Sequence, residues 1–222
     1  MQCQQCQGIE ETFNPKTAQK ELRNFRKKGP NKQTRLLLEV IKSEGLKETL
    51  LDIGGGVGAI QHELLSSGMT QAINVDASSV YLATAKEEAE RQGQVDKISF
   101  HHGDFVEVAS QIPAADVVTL DRVICCYLDM NGLVASSSNH AKEIYGIIYP
   151  RDSWWLKGPF WFFNFVQKVK RSAFRVFLHK RKDILEVLEA ENLESYYYKK
   201  AGLWQIEVFK RSRDFEITTA QQ

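Results

Sequence analysis

The residues best placed to do chemistry are Asp52-Ile53-Gly54-Gly55-Gly56-Val57-Gly58. They close an apolar run, Thr49-Leu50-Leu51-Asp52-Ile53, and open onto a helical pattern. Glycines at such a turn let the backbone fold tightly and let a ligand approach, because any Cβ would fill that space. Three nucleotide chemistries use turns of this kind. A phosphate-cradling loop ends in Gly-Lys-Ser/Thr, whereas here Gly58 is followed by Ala59-Ile60. A dinucleotide turn is spaced G-x-G-x-x-G, whereas these glycines run Gly54-x-Gly56-x-Gly58. The leading acid, Asp52, repels a pyrophosphate and suits a cation or the ammonium of an amino-acid tail.

Further acids follow at regular places. Asp76, in Asn74-Val75-Asp76-Ala77, ends the next apolar run, 18 residues after Gly58. A carboxylate there can hold both hydroxyls of a ribose by paired hydrogen bonds. Gly103-Asp104-Phe105 follows a third run, and Asp121 ends a fourth, at the rim where open parallel sheets bind ligands. The pattern D-x-G-x-G-x-G, with these acids downstream, resembles the class I S-adenosylmethionine-dependent methyltransferases over about residues 47–127. The resemblance implies S-adenosylmethionine as cofactor. It implies that Asp52, Gly54, Gly55, Gly56 and Gly58 meet its methionine part. It likewise implies Asp76 and Ala77 at the ribose, Asp104 and Phe105 at the adenine, and Asp121 at the rim of the site.

That cofactor carries an electrophilic methyl on a sulfonium, so the protein mainly has to align a nucleophile and exclude water. An oxygen acceptor also needs a base or prior ionisation. The acceptor is narrowed by exclusion. Base-amino methylators carry Asn/Asp-Pro-Pro-Tyr/Phe after the fourth strand, where this chain has Asp121-Arg122-Val123-Ile124. Cytosine carbon methylators use Pro-Cys, and Cys125-Cys126 has no preceding proline. A small molecule methylated at oxygen is the expectation. Leu120 to Tyr127 resembles the matching stretch of magnesium-protoporphyrin methyltransferases, although Gly55 and Val57 stand where those enzymes tend to have cysteine and threonine. His179, in Phe177-Leu178-His179-Lys180, is a candidate base, and Tyr127 a candidate beside the reacting methyl. Each has a plain alternative: a solvated histidine in a basic loop, and a packing aromatic.

The elements that must position these residues alternate. Apolar runs at 49–53, 72–75, 97–100, 115–120 and 144–149 read as strands, with helical patterns at 59–66, from Ser78 through Arg91, and at 183–191. Leu193–Lys199 and Leu203–Lys210 read as a closing hairpin turning at Ala201-Gly202. The fold expected is α/β: a doubly wound, mostly parallel, seven-stranded Rossmann-like sheet with helices on both faces and an antiparallel C-terminal hairpin. Before the sheet, residues 1–15 read as irregular and 16–28 and 32–43 as helices, broken at Gly29-Pro30. Residues 1–45 therefore form an N-terminal helical cap, and 46–222 a methyltransferase domain with a basic, aromatic insertion at about 151–182.

The chain has 222 residues, 43% hydrophobic and 26% charged, with 29 Lys+Arg and 28 Asp+Glu. This excludes a disordered or disulfide-dense chain and suits one domain. Within a net charge of +1, residues 153–182 carry +8 with no acid, and 16–35 carry +7, leaving the rest at −14. In the insertion the aromatics pack on the sheet beneath solvated lysines, or they cap an acceptor that is itself anionic and aromatic. An RNA track and peripheral contact with an anionic membrane fit the same composition. A non-catalytic cofactor-binding partner subunit is a further alternative. The start of the chain has no secretory pattern, which sets a cytoplasmic expectation. Cys3-x-x-Cys6 is half of a zinc pattern without its second half, and so reads as a polar tail with two thiols, a metal or redox role for the pair being the alternative.

Overall fold

A computed structural model describes residues 4–45 and 47–212. The chain opens with α1 (Gln4–Thr12), α2 (Pro15–Lys28) and α3 (Lys32–Ser43). The sheet region then runs β1 (Thr49–Ile53), α4 (Ala59–Ser66), β2 (Gln71–Asp76), α5 (Ser79–Arg91), β3 (Ile98–His102), α6 (Phe105–Val108), β4 (Ala115–Asp121), α7 (Met130–Asn139) and β5 (Ala141–Pro150). It closes with α8 (Trp154–Val169), α9 (Arg181–Ala190), β6 (Leu193–Ala201) and β7 (Trp204–Arg211). The seven strands lie in the order β3-β2-β1-β4-β5-β7-β6. The first five are parallel, and β7 joins β5 and β6 antiparallel. This is the expected Rossmann-like sheet with its terminal hairpin.

Side chains alternate along each strand, and the sequence uses both faces. Leu51, Val118, Leu120 and Ile147 join one buried cluster with residues of α7 and α9. Leu50, Val117, Ile144 and Ile148 join the other, with Leu37 and Ile41 of α3 and Ile60 and Leu64 of α4. Gly146 of β5 admits this packing, because a Cβ there would lie 2.8 Å from Leu37 Cδ1. The third helix thus covers the sheet, whereas α2 packs through Ala18 and Leu22 against Val57 and Tyr81 beside the glycine turn. Local signals fix the ends of these helices: Asn14, Asn31 and Ser78 each accept backbone N–H bonds as N-caps.

Two expectations require correction. Residues 4–12 are helical rather than irregular. This helix offers little apolar periodicity, since its described buried surface is Gly8 and Ile9, where Gly8 meets the backbone at Phe174 without room for a Cβ. Cys3 lies outside the described residues. The aromatics of α8 do not pack on the sheet: Trp154, Trp161, Phe162 and Phe165 are exposed, and only Leu156 is buried in that helix.

Candidate active site

The glycine turn leaves the C-terminal end of β1. Gly54, Gly56 and Gly58 have φ of 64°, 57° and 81°, a region that L side chains avoid. A Cβ on Gly54 would also sit 2.5 Å from Val123 Cγ2. The turn is stitched to β2, where Gly54 N–H donates to the Val75 carbonyl at 2.7 Å and Gly56 N–H to Asp76 Oδ2 at 3.0 Å. The other Asp76 oxygen accepts from Ser78 N–H at 2.8 Å. Burial pushes the Asp76 carboxyl up to about 6, against the pull of those two backbone donors.

Asp52 is the more exceptional acid. It is buried, and Thr119 donates to its Oδ1 at 2.7 Å. Its Oδ2 has no hydrogen-bond partner among the described residues. Burial pushes its carboxyl up to about 7, with the Asp121 and Asp76 charges adding to the rise. An orphaned buried carboxylate oxygen beside a backbone that approaches closely is the counterpart of an ammonium group. These residues fit the methionine end and ribose of S-adenosylmethionine.

The cavity they border has a volume of about 730 Å³. Its floor is the glycine turn with Asp52, Asp76, Ala77, Gly103, Phe105 and Asp121. Both basic segments contribute to its roof, through Phe25 and Arg35 on one side and Phe174 and Val176 on the other. Edge-to-face contacts join the roof to the wall, with Phe13 against Tyr81 at 5.5 Å and against Phe174 at 5.6 Å. At the end of β4, Asp121 accepts from the Thr34 hydroxyl at 2.5 Å and pairs with Arg122 at 2.8 Å. Arg122, with φ of 64°, turns its guanidinium over Trp204 at 5.8 Å.

A family model described as an O-methyltransferase domain matches residues 4–134, more than half of the chain. The chain belongs to that family. It is a class I methyltransferase that uses S-adenosylmethionine. No curated protein matches the sequence. Among solved structures, magnesium protoporphyrin IX methyltransferase from Synechocystis, with bound SAH, is 16% identical with a TM-score of 0.63, over 80% of this chain and 81% of that one. An O-methyltransferase family protein from Burkholderia thailandensis is 15% identical with a TM-score of 0.65, over 82% of this chain and 57% of that one. An O-methyltransferase family 2 protein from Planctomyces limnophilus, in complex with apigenin, is 16% identical with a TM-score of 0.60, over 83% of this chain and 63% of that one.

Most of the residues expected at the methyltransferase site do line one cavity. Tyr127 lines it and donates its hydroxyl to Asp104 Oδ1 at 2.5 Å. Asp104 stands just outside the lining, and the same oxygen caps α6 through Val106 N–H at 3.0 Å. His179 is a correction. It borders a separate cleft with Asp129 and Asp183, and its Nε2–H donates to the Tyr127 carbonyl at 2.8 Å. Burial lowers its pKa, against the raising pull of the Tyr127 and Ile124 carbonyls, and the imidazole is anchored to backbone outside the cavity. Cys125 and Cys126 line the cavity as well. The hydrogen bond with Cys125 and burial push the Cys126 thiol above its ordinary range, which disfavours the thiolate. Sequence reasoning missed Trp204 and Glu21 in the lining. Nothing in the hairpin's spacing marks Trp204, and Glu21 is the lone acid of a basic helix.

Proposed function

We propose that this methyltransferase methylates an oxygen of a small, flat, apolar acceptor that carries an anionic group. The observation that carries the reading is the continuity of the cavity. The acid-rich glycine turn and a roof of Phe13, Phe25, Phe174 and Trp204, with Arg35 and Arg122 at its wall, enclose one space. Aromatic walls match a flat acceptor, and guanidinium groups match carboxylate or phenolate. In this reading Asp52 holds the cofactor's ammonium, Gly54 to Gly56 and Gly58 admit its methionine backbone, and Asp76 with Ala77 holds the ribose. Phe105, beside Asp104, flanks the adenine, and Asp121 sets the rim. When bound, the cofactor supplies a methyl group on a positively charged sulfur.

The chain's own task is then alignment and exclusion of water. Tyr127, held by Asp104, fixes the wall near the acceptor. With His179 outside the cavity, the acceptor enters already ionised, which the cations of the wall favour. The oxygen assignment is supported by the description of the family. The test is transfer of a labelled methyl group to a panel of aromatic carboxylates, phenols, amines and short RNAs, read by mass spectrometry. Methyl ester or ether formation is expected. Transfer only to nitrogen, carbon or RNA overturns the proposal.

A further inference from the structure

Among the described residues, α8 carries an exposed aromatic surface outside the cavity lining. Trp154, Gly158, Trp161, Phe165 and Val169 recur at helical spacing and form one stripe, with Trp155 and Phe162 beside it. Trp154 is 84% exposed, Trp161 68%, Val169 67% and Phe162 61%. The opposite face ties the helix down. Leu156 is buried, Phe163 meets Phe174 edge-to-face at 6.2 Å, and the Asn164 amide pairs in both directions with the Val176 backbone, at 2.8 and 2.9 Å. The helix is therefore well seated, and its outward face is uncovered among the described residues. Monomeric proteins rarely leave so large an apolar patch facing water.

We propose that α8 lies flat on an anionic lipid bilayer, its tryptophan and phenylalanine stripe entering the headgroup boundary and its neighbouring cations binding lipid phosphate. Charge selects this partner. Lys157, Lys168, Lys170 and Arg171 are exposed around the stripe, and no acid occurs between Ser153 and Lys182. Interfacial helices combine these features: an apolar face with tryptophan, basic margins and no need to cross the bilayer. At 16 residues α8 is about 24 Å long, and no described helix is long and apolar enough to cross a membrane. A second copy docked by the same face would bring no acid from this segment to meet these cations. Nucleic acid fits poorly too. Trp161 and Phe165 stack on each other, 5.7 Å apart and 13° from parallel, so each occupies a π-face that a base would need. The helix also lies outside residues 4–134, so the proposal concerns a part of the chain beyond the family match. Through Asn164 and Phe163 the helix is tied to Phe174 and Val176, which roof the cavity, so a bilayer bound there lies one layer from the acceptor site.

Flotation of the whole chain with vesicles tests this. Vesicles of phosphatidylcholine with phosphatidylglycerol are expected to carry the protein, with tryptophan emission shifted to the blue. Pure phosphatidylcholine should bind at least about tenfold less, and added salt should weaken the anionic binding. The double variant W161S/F165S should lose binding by at least about tenfold while keeping wild-type affinity for S-adenosylhomocysteine, which verifies its fold. The variant K168E/K170E should lose the preference for anionic vesicles. No binding to anionic vesicles above the neutral ones overturns the proposal. So does a dimer in sedimentation velocity that W161S/F165S dissociates, or RNA binding at equal salt that the same variant abolishes.

Discussion

Burial disfavours the charged form of Asp52. Its carboxyl is pushed up to about 7 and that of Asp76 to about 6, both above the roughly 3.9 of an unfolded aspartate. Between about pH 4 and pH 7 the folded, cofactor-free chain therefore holds protons that the unfolded chain has released, and its stability falls as pH rises through that window. In the proposed site, ammonium and hydroxyl donors favour the ionised carboxylates, so cofactor binding is expected to expel those protons. Calorimetry with S-adenosylhomocysteine should show affinity rising up to about pH 7 and then levelling, with proton release detected by changing the buffer. Asp52→Asn should remove most of that release, and a pH-independent affinity would contradict the assignment. Asp76→Ala should weaken the same binding by about 1–3 kcal/mol. His179→Ala should leave turnover within a few fold, because its imidazole serves the Tyr127 carbonyl; abolished turnover with cofactor affinity intact would return it to the chemistry. The place of these acids at the cavity was legible because strand-end position fixes which way they face. His179 was not, because its place after a strand and before a helix left the direction of its ring open.

The elements that hold the floor announce themselves by pattern, and so does the roof helix α2, read at 16–28 and observed at Pro15–Lys28, but what seats the roof does not. Residues 32–43, 49–53 and 59–66 carry periodicity and caps that coincide with α3, β1 and α4. The helix α7 is hidden by Ser136, Ser137 and Ser138, residues that favour turns unless packing overrides them; here the Ser137 hydroxyl bonds back to the Leu133 carbonyl at 2.7 Å. For α8 the spacing of aromatics shows a stripe, but the period alone is the same for a stripe facing the core and one facing outward. The roof helix α2 depends on a contact no local pattern reveals. Arg26 reaches Glu88 of α5 at 2.7 Å, and Arg91 and Gln92 share that carboxylate. Burial alone would raise Glu88, yet these three donors pull it down to about 2. Glu88→Gln should cost about 1–3 kcal/mol, and hydrogen exchange should show α2 opening faster while β1 and β4 keep their protection. Unchanged protection of α2 would mean that Ala18 and Leu22 alone seat it.

Across the whole molecule, near-neutrality is a cancellation: an acidic body beneath two basic segments distant in sequence. Folding brings both segments to one cavity, so the site is a seam between the sheet, α1–α2 and the stretch around Phe174. A ligand in a seam stabilises every part that borders it, and only the bound state gains that energy. At about 100 times its dissociation constant, S-adenosylhomocysteine should stabilise the protein by about 2.7 kcal/mol, seen as a rise in the melting temperature. Hydrogen exchange should locate that gain. The contacts proposed for the cofactor are with the glycine turn and β2, yet Phe13 bridges Tyr81 to Phe174, and Gly8 seats α1 on the backbone of Phe174. Slower exchange is therefore expected at residues 8–28 and 172–177 together with 54–58, in a common step as ligand is added. Protection confined to the glycine turn would show that the roof closes independently of the cofactor, leaving the acceptor as the ligand that orders it.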